Sequence, residues 1–366
     1  MDFVLVRYGE IGLKSKWVKR EFEGWLISNI SICLNRNKIR IDRISCHGSR
    51  IYVYCDKIGK ALKVLKNVFG IVSISPVYSI EPELDSIKKF ALKLYKLSGE
   101  KSFRITSKRR DKSFPMNSQQ IVEYIGGYIV EKERAPVNLK KPGVEISIEI
   151  EKSRAMLFVK KIKCFGGMPI GSQGRCMCLV SGGINSSLAA WKMMRRGCQT
   201  TLVYVDAGKY GIKGSRQRVE KIANYLAKNF YSHKEPLKLV ILNFEPVYNL
   251  LKTEVTNVGI FAKKLMLDAV ELLCNEFGAK SVVTGDNIRS MASGLFREKK
   301  FVYLYPIVGL SKTEVEKDVK EIGLDKFVVH NKKPAKKRAK TESIVLGKYT
   351  QLMNGVIKTK KMIELK

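Results

Sequence analysis

Residues 179–187 read Leu-Val-Ser-Gly-Gly-Ile-Asn-Ser-Ser: the end of an apolar strand, a turn with two glycines, and the start of a helix. Backbone N–H groups freed by Gly182 and Gly183 at a helix start form a cradle for phosphate. The loop lacks the Gly-Lys-Ser/Thr ending of a Walker A loop, so it belongs to another class of phosphate site.

The pattern around this loop alternates. Strands are expected at Met177–Val180, Thr201–Val205, Lys238–Asn243 and Ser281–Thr284. Helices are expected at about 186–196, 215–229, 246–276 (with a break near Gly259) and 311–322. Such alternation predicts a doubly wound parallel α/β sheet, with the loop on the carboxyl edge where ligands bind.

Upstream, Lys161–Gln173 is rich in glycine and reads as a linker. Residues 83–165 predict helices at Leu84–Leu97 and Ser118–Lys132 and strands at Ser102–Thr106, Val144–Ile150 and Ala155–Val159. Between them lies a basic loop from Ser107 to Pro115. Residues 1–80 follow a β-α-β-β-α-β order, with strands at Phe3–Val6, Ile39–Ser45, Arg50–Cys55 and Ile71–Ile80. Helices are expected at Lys14–Asn35 and Ala61–Val68, the second closed by Gly70. That order suggests a small ferredoxin-like unit, followed by a connector bracketed by Pro76 and Pro82. The expected organisation is therefore α/β and α+β: a ferredoxin-like domain over 1–76, a second domain over 77–165, a glycine-rich linker at 166–174, and a phosphate-loop domain over 175–366.

Composition narrows the partner. Lys and Arg number 68 against 34 Asp and Glu, a net charge of +34. A charge of that size points to a polyanion, most simply RNA. No apolar run of about 18 residues is present, so no membrane span is expected. The N-terminus lacks the layout of a secretory signal, and a cytoplasmic location is expected. Eight cysteines sit mostly inside apolar runs, as reduced core thiols do. Cys176 and Cys178, two apart, lack the spacing of a metal clasp, and no structural metal is predicted. Residues 331–366 hold 10 Lys and 1 Arg against 2 Glu. They read as a basic, RNA-contacting tail, with Lys332, Lys333, Lys336, Lys337 and Arg338 as its densest cluster.

Several stretches together resemble the tRNA 4-thiouridine synthetase family, ThiI, over nearly the whole chain. They are Val6-Arg7-Tyr8-Gly9-Glu10-Ile11-Gly12-Leu13-Lys14, Val68-Phe69-Gly70-Ile71-Val72, the run from Lys108 to Ser118, Gly166-Gly167-Met168-Pro169-Ile170-Gly171, Ser181-Gly182-Gly183 and Thr284-Gly285-Asp286-Asn287. The fit is to the shorter, archaeal-type members without a rhodanese domain. The resemblance implies that 77–165 is a THUMP RNA-binding domain and that 175–366 is a pyrophosphate-loop domain similar to adenine nucleotide α-hydrolases. It implies nucleotide contacts at Leu179, Val180, Ser181, Gly182, Gly183, Asn185, Ser186, Thr284, Gly285 and Asp286. It implies RNA contacts at Lys108, Arg109, Arg110, Lys112, Ser113, Phe114 and Asn117, at Arg195 and Arg196, and in the Lys332–Arg338 cluster. A homodimer follows by family analogy.

The family's reaction adenylates a tRNA uridine with ATP and Mg²⁺, then delivers sulfur from a cysteine persulfide. Here the pattern breaks. Asn185 stands where the family's loop has Asp, and a neutral amide binds Mg²⁺–pyrophosphate less well. The loss is on the order of 3 kcal/mol if it equals one electrostatic contact in the transition state. The archaeal Cys-x-x-Cys is replaced by Gly259 and Ala262, ahead of Lys263-Lys264. The implied reading is a tRNA- or structured-RNA-binding member with weakened ATP and Mg²⁺ binding and lost sulfur transfer. Two alternatives stand beside it: a working sulfurtransferase using another cysteine or external sulfide, and an RNA scaffold on ribosomal or other structured RNA.

Overall fold

The computed structural model describes residues 1–255, 258–287, 300–327 and 346–365, without the side chains of 346–350. It divides into two compact units, Met1–Glu23 with Ile30–Gly166, and Gly24–Asn29 with Gly167–Lys366.

The first unit runs β1 (Phe3–Tyr8), a 3-10 turn (Glu10–Leu13), α1 (Lys16–Arg36), β2 (Ile41–His47), β3 (Arg50–Cys55), α2 (Ile58–Leu65) and β4 (Ile71–Ile80). It continues with α3 (Leu84–Ser98), β5 (Phe103–Arg109), α4 (Ser118–Glu133), β6 (Val144–Glu151), β7 (Arg154–Phe158) and β8 (Ile162–Lys163). All the large strands join one sheet in the order β2-β3-β1-β4-β7-β6-β5, with β8 on β4. The joint is β4, which pairs β1 from Ile71 to Val77 and β7 from Tyr78 to Ile80. Apolar residues four apart on two helices, Ile87, Ala91 and Ile121, Ile125, Ile129, cover Phe103, Ile105, Ile146 and Ile148.

Two expectations need correcting in this unit. Pro76 does not open a connector; it lies inside β4, opposite Val4. On the other edge of β4, β8 pairs only as far as Ile74 and β7 begins at Tyr78. Between them is a gap where a missing N–H removes no ladder bond. The basic stretch is also not all loop. β5 continues through Ser107, Lys108 and Arg109 because β6 offers a parallel partner as far as Ile150.

The second unit runs β9 (Arg175–Val180), α5 (Ile184–Arg195), β10 (Gln199–Asp206), α6 (Ser215–Asn229), β11 (Leu237–Asn243), α7 (Glu245–Glu254), α8 (Val258–Phe277), β12 (Ser281–Val283) and β13 (Val302–Leu304). It closes with α9 (Lys312–Glu321), α10 (Leu346–Lys358) and β14 (Lys361–Leu365). The sheet order is β13-β12-β9-β10-β11-β14. The pairings from β13 to β11 are parallel, and β14 is antiparallel to β11. On one face, Met177, Val203, Val240 and Val282 pack with α7 and α8 residues such as Val247, Leu251, Leu265 and Leu273. The chain leaves β9 for β10 on one side and later fills the other side with β12. The carboxyl ends of β9 and β12 therefore flank a topological switch point.

The break expected near Gly259 falls slightly earlier: α7 ends before Val255, whose backbone is extended, and Gly259 lies in the first turn of α8. Part of the segment read as a basic tail is ordered structure. Within 346–365 it forms α10 and β14, with Met353, Val356 and Leu365 each 4% exposed. Composition hid these apolar anchors among lysines. The glycine-rich stretch after Gly166 is packed: Met168 N–H donates to Arg195 C=O at 2.9 Å and Gly171 N–H to Gly197 C=O at 2.9 Å. Ile170 is buried, and its carbonyl accepts from the Asn29 amide at 3.1 Å.

Candidate nucleotide site and nucleic-acid interface

The loop after β9 is built by local hydrogen bonds. Gly182 adopts φ +73°, a left-handed turn that suits glycine and reverses the chain within one residue. Ser186 Oγ accepts from Ser181 N–H at 3.1 Å, and Ser187 Oγ donates to Gly183 C=O at 2.9 Å. The serines thus fold the loop back on the helix that follows. The N–H of Ser187 donates to Gly183 C=O. The N–H groups ahead of it on α5 stay outside the helical ladder, as open donors at the positive end of the helix dipole.

The turn after β12 closes against the same place. A Cβ on Gly285 would lie 2.5 Å from Ser186 N and 2.6 Å from Ser186 Cα. Only glycine lets the two backbones approach so closely. The structure thus brings Thr284, Gly285 and Asp286 to Asn185 and Ser186, as the sequence reading grouped them. Thr284 Oγ1 donates to Asp286 Oδ2 at 2.9 Å, and Lys263 Nζ on α8 donates to both Asp286 oxygens at 3.0 Å.

Sequence reasoning named Lys263 after Gly259 and Ala262 but missed its pairing with Asp286, because no motif signals a contact that only the fold creates. It missed Arg218 too. A Cβ on Gly182 would lie 3.5 Å from Arg218 Cβ, and Arg218 Nε is buried without a hydrogen-bond partner. Asp206, at the end of β10, is held by Arg216 at 3.4 Å and accepts from Gly208 N–H at 3.2 Å.

All eight cysteines lie among the described residues and are free. Cys176, Cys178, Cys198 and Cys274 in this unit are all buried. Cys176 and Cys178 approach within 3.9 Å on one face of β9. Burial pushes the Cys274 thiol up to about 12, with nearby Glu271 adding to it. The hydrogen bond from Cys178 raises Cys176 well above the thiol range, and Cys198 is raised chiefly by its own bond with Cys176. Position 259 is exposed with open space around it, whereas Ala262 is 1% exposed in the core. Among the described residues no group of three or more His, Cys, Asp or Glu is arranged to hold a metal ion.

In the first unit the basic stretch divides its labour. Lys108 and Lys112 are exposed. Arg109 is used internally: its guanidinium donates to Lys112 C=O and Phe114 C=O, both at 3.2 Å. Phe114 packs against the core under α3 and α4. Ser113 bonds Asp111, and Asn117 caps α4 in a reciprocal box with Gln120. Arg110 joins Arg7 and Arg50 around the buried carboxylate of Glu149, at 3.4, 3.4 and 3.9 Å. Three guanidinium groups on one carboxylate leave a surplus of positive charge on that sheet face.

In the second unit, Arg195 stacks over Trp191, with 5.7 Å to the ring centroid, and Arg196 ends α5. Lys332, Lys333, Lys336, Lys337 and Arg338 lie outside the described residues. No helix among the described residues is long and apolar enough to cross a membrane.

A sheet switch point with a glycine turn and an open helix start defines a phosphate-loop domain of the α/β class. Comparison with known proteins makes this specific. Residues 171–343 match the family model described as "Thiamine biosynthesis protein (ThiI)", residues 3–75 the ThiI ferredoxin-like domain, and residues 81–160 the THUMP domain. A Thermococcus kodakarensis protein named probable tRNA sulfurtransferase is 36% identical over 341 residues, covering 88% of each chain. A Methanocaldococcus jannaschii protein of the same name is 34% identical, covering 87% of each. A solved structure from Pyrococcus horikoshii is 30% identical with a TM-score of 0.70, covering 88% of this chain and 100% of that one. The fold also matches a 4-thiouridine synthetase solved with RNA and bound ATP, at TM-score 0.84 and 24% identity over 100% of both chains. The chain belongs to the ThiI family of tRNA sulfurtransferases.

Proposed function

We propose that this chain binds tRNA and, weakly, an adenine nucleotide, and that it has lost sulfur transfer. The observation that carries this reading is the pairing of an intact phosphate cradle with buried cysteines. Gly182, Gly183 and the start of α5 offer open N–H donors, while every cysteine in the same unit is below 9% exposure. A thiol buried in the core is shut away from a substrate, and raised pKa values keep Cys176, Cys198 and Cys274 protonated at neutral pH.

ATP fits the donors present. Leu179, Val180, Ser181, Gly182, Gly183, Asn185 and Ser186 would hold it with Thr284, Gly285 and Asp286. When bound it supplies the adenylyl group that turns a uridine oxygen into a leaving group. Mg²⁺ fits less well. The loop position carries the Asn185 amide, and the nearby carboxylates are engaged, Asp286 by Lys263 and Asp206 by Arg216. Divalent magnesium prefers one or two free carboxylates with the phosphates. Exposed Lys108 and Lys112 and the Lys332–Arg338 cluster supply charge for RNA phosphates, which sets affinity and its salt dependence.

The test is an assay for 4-thiouridine with tRNA, ATP and sulfide, alongside tRNA binding at two salt concentrations. The expected result is salt-sensitive binding with no thiolated product. Product at multiple turnover would overturn the reading. It would support the alternative of a working sulfurtransferase using another cysteine or external sulfide; two relatives carry the name probable tRNA sulfurtransferase.

A further inference from the structure

The first turn of α1 carries a side chain that the fold does not use. Trp17 is 75% exposed, and Leu13, four residues before it, is 88% exposed. Among the described residues no ring or cation packs on Trp17. The other two tryptophans are occupied: Trp25 stacks on His233, and Trp191 is 3% exposed. An indole left in water costs free energy that burial would recover.

Its surroundings indicate what covers it. Residues 13–20 read Leu-Lys-Ser-Lys-Trp-Val-Lys-Arg, four cations and no carboxylate. Lys14, Lys16 and Arg20 are exposed and form no ion pair with a described carboxylate. Lys19 is held by Ser49 at 2.6 Å and by Glu23 at 3.8 Å. Glu21, on the next turn, is the nearest exposed acid in sequence. An exposed aromatic face among unpaired cations is the composition of a single-strand platform. The ring stacks on a base while the ammonium and guanidinium groups meet its phosphates. A membrane anchor would need an apolar face along the helix, whereas the neighbouring exposed positions 16, 20, 21, 24 and 28 are Lys, Arg, Glu, Gly and Ser.

We propose that Trp17, flanked by Lys14, Lys16 and Arg20, is a stacking platform for an unpaired RNA nucleotide. The proposal rests on the RNA-binding reading above and adds to it a preference for unpaired bases at a defined place. Because Trp17 is the exposed tryptophan, its emission reports contact directly.

The experiment titrates the full chain with single-stranded oligoadenylate and, separately, with a blunt RNA duplex of equal length. Oligoadenylate is expected to quench tryptophan emission. Trp17→Leu is expected to lose that quench and to bind oligoadenylate about tenfold more weakly, a factor within the range of one base–aromatic stack. Duplex affinity and its salt dependence should change less than about twofold, since phosphate contacts carry them. Trp17→Phe should restore most of the affinity. Equal oligoadenylate binding by wild type and Trp17→Leu would overturn the platform while leaving RNA binding intact. Loss of both RNAs by the wild type would overturn the RNA-binding reading itself. Quenching by anionic vesicles or by self-association without RNA would assign Trp17 to a membrane or to a second copy instead.

Discussion

Lys263 and Asp286 hold each other beside the candidate nucleotide site, one ammonium donating to two carboxylate oxygens at 3.0 Å. The lysine comes from α8 and the aspartate from the turn after β12. The pair therefore fixes that turn relative to the core helix, and Thr284 Oγ1 braces it at 2.9 Å. With side chains 37% and 20% exposed, the pair contributes about 1 kcal/mol or less to stability. Lys263→Ala should therefore barely move the unfolding midpoint. It should weaken ATP binding several-fold in calorimetry, because the turn loses its anchor. Unchanged ATP affinity would remove Lys263 from the site.

Gly285 is a steric requirement. An alanine Cβ would fall 2.5 Å from Ser186 N, on backbone that cannot rotate away. Gly285→Ala should cost about 1–3 kcal/mol in urea unfolding, the range for overpacked sites. It should also abolish detectable nucleotide binding by pushing the turn off α5. A variant with wild-type stability would contradict the close approach.

Placing thiols at 259 and 262, where the resemblance implies they were lost, has an asymmetric outcome. A sulfur at 259 enters open space, while one at 262 enters a core where Ala262 is 1% exposed. In single variants, Gly259→Cys should react with a thiol reagent at least tenfold faster than Ala262→Cys. Asn185→Asp alone should strengthen Mg²⁺-dependent ATP binding without producing 4-thiouridine. Thiolated tRNA from that single change would sink the argument from missing sulfur.

His233 gives the second unit an acid sensitivity. Burial lowers its pKa, and Lys234 and Arg175 lower it further, against an opposing contribution from Glu235. Trp25 stacks on the ring, and Nδ1 accepts from Glu235 N–H at 3.1 Å. A depressed folded pKa means the unfolded chain binds the proton first. The stability is complete above the unfolded value of about 6.5 and is lost as pH falls through it toward the folded value. Unfolding midpoints measured from pH 8 to pH 5 should drop more for wild type than for His233→Asn. Parallel curves would show that His233 carries no such linkage.

Some of this was readable from residues alone. The turn after β9 announces itself because two glycines between an apolar strand and a helix have few other uses. Likewise, helices with apolar residues every third or fourth position fell close to their observed bounds. The strand over Ile71–Ile80 was legible, but Pro76 misled as one end of a connector; only the pairing on both edges shows why a proline is tolerated inside the strand. The segment around Met353 and Leu365 misled because lysines dominate its composition while a few apolar side chains decide its packing. Asn117 and Arg109 were read as RNA contacts; the structure also gives them a cap and loop bonds. The pairing of Lys263 with Asp286 and the approach of Arg218 to Gly182 were invisible because each joins segments distant in sequence.

β4 makes the two recognisable modules of the first unit into one object. The family boundaries fall at 75 and 81, within or just beyond a strand that runs unbroken from Ile71 to Ile80. Neither module can be lifted out without baring the ladder of the other. The pair should melt together and be inherited together, so a graft of the RNA-binding half onto another protein would have to carry its neighbour with it.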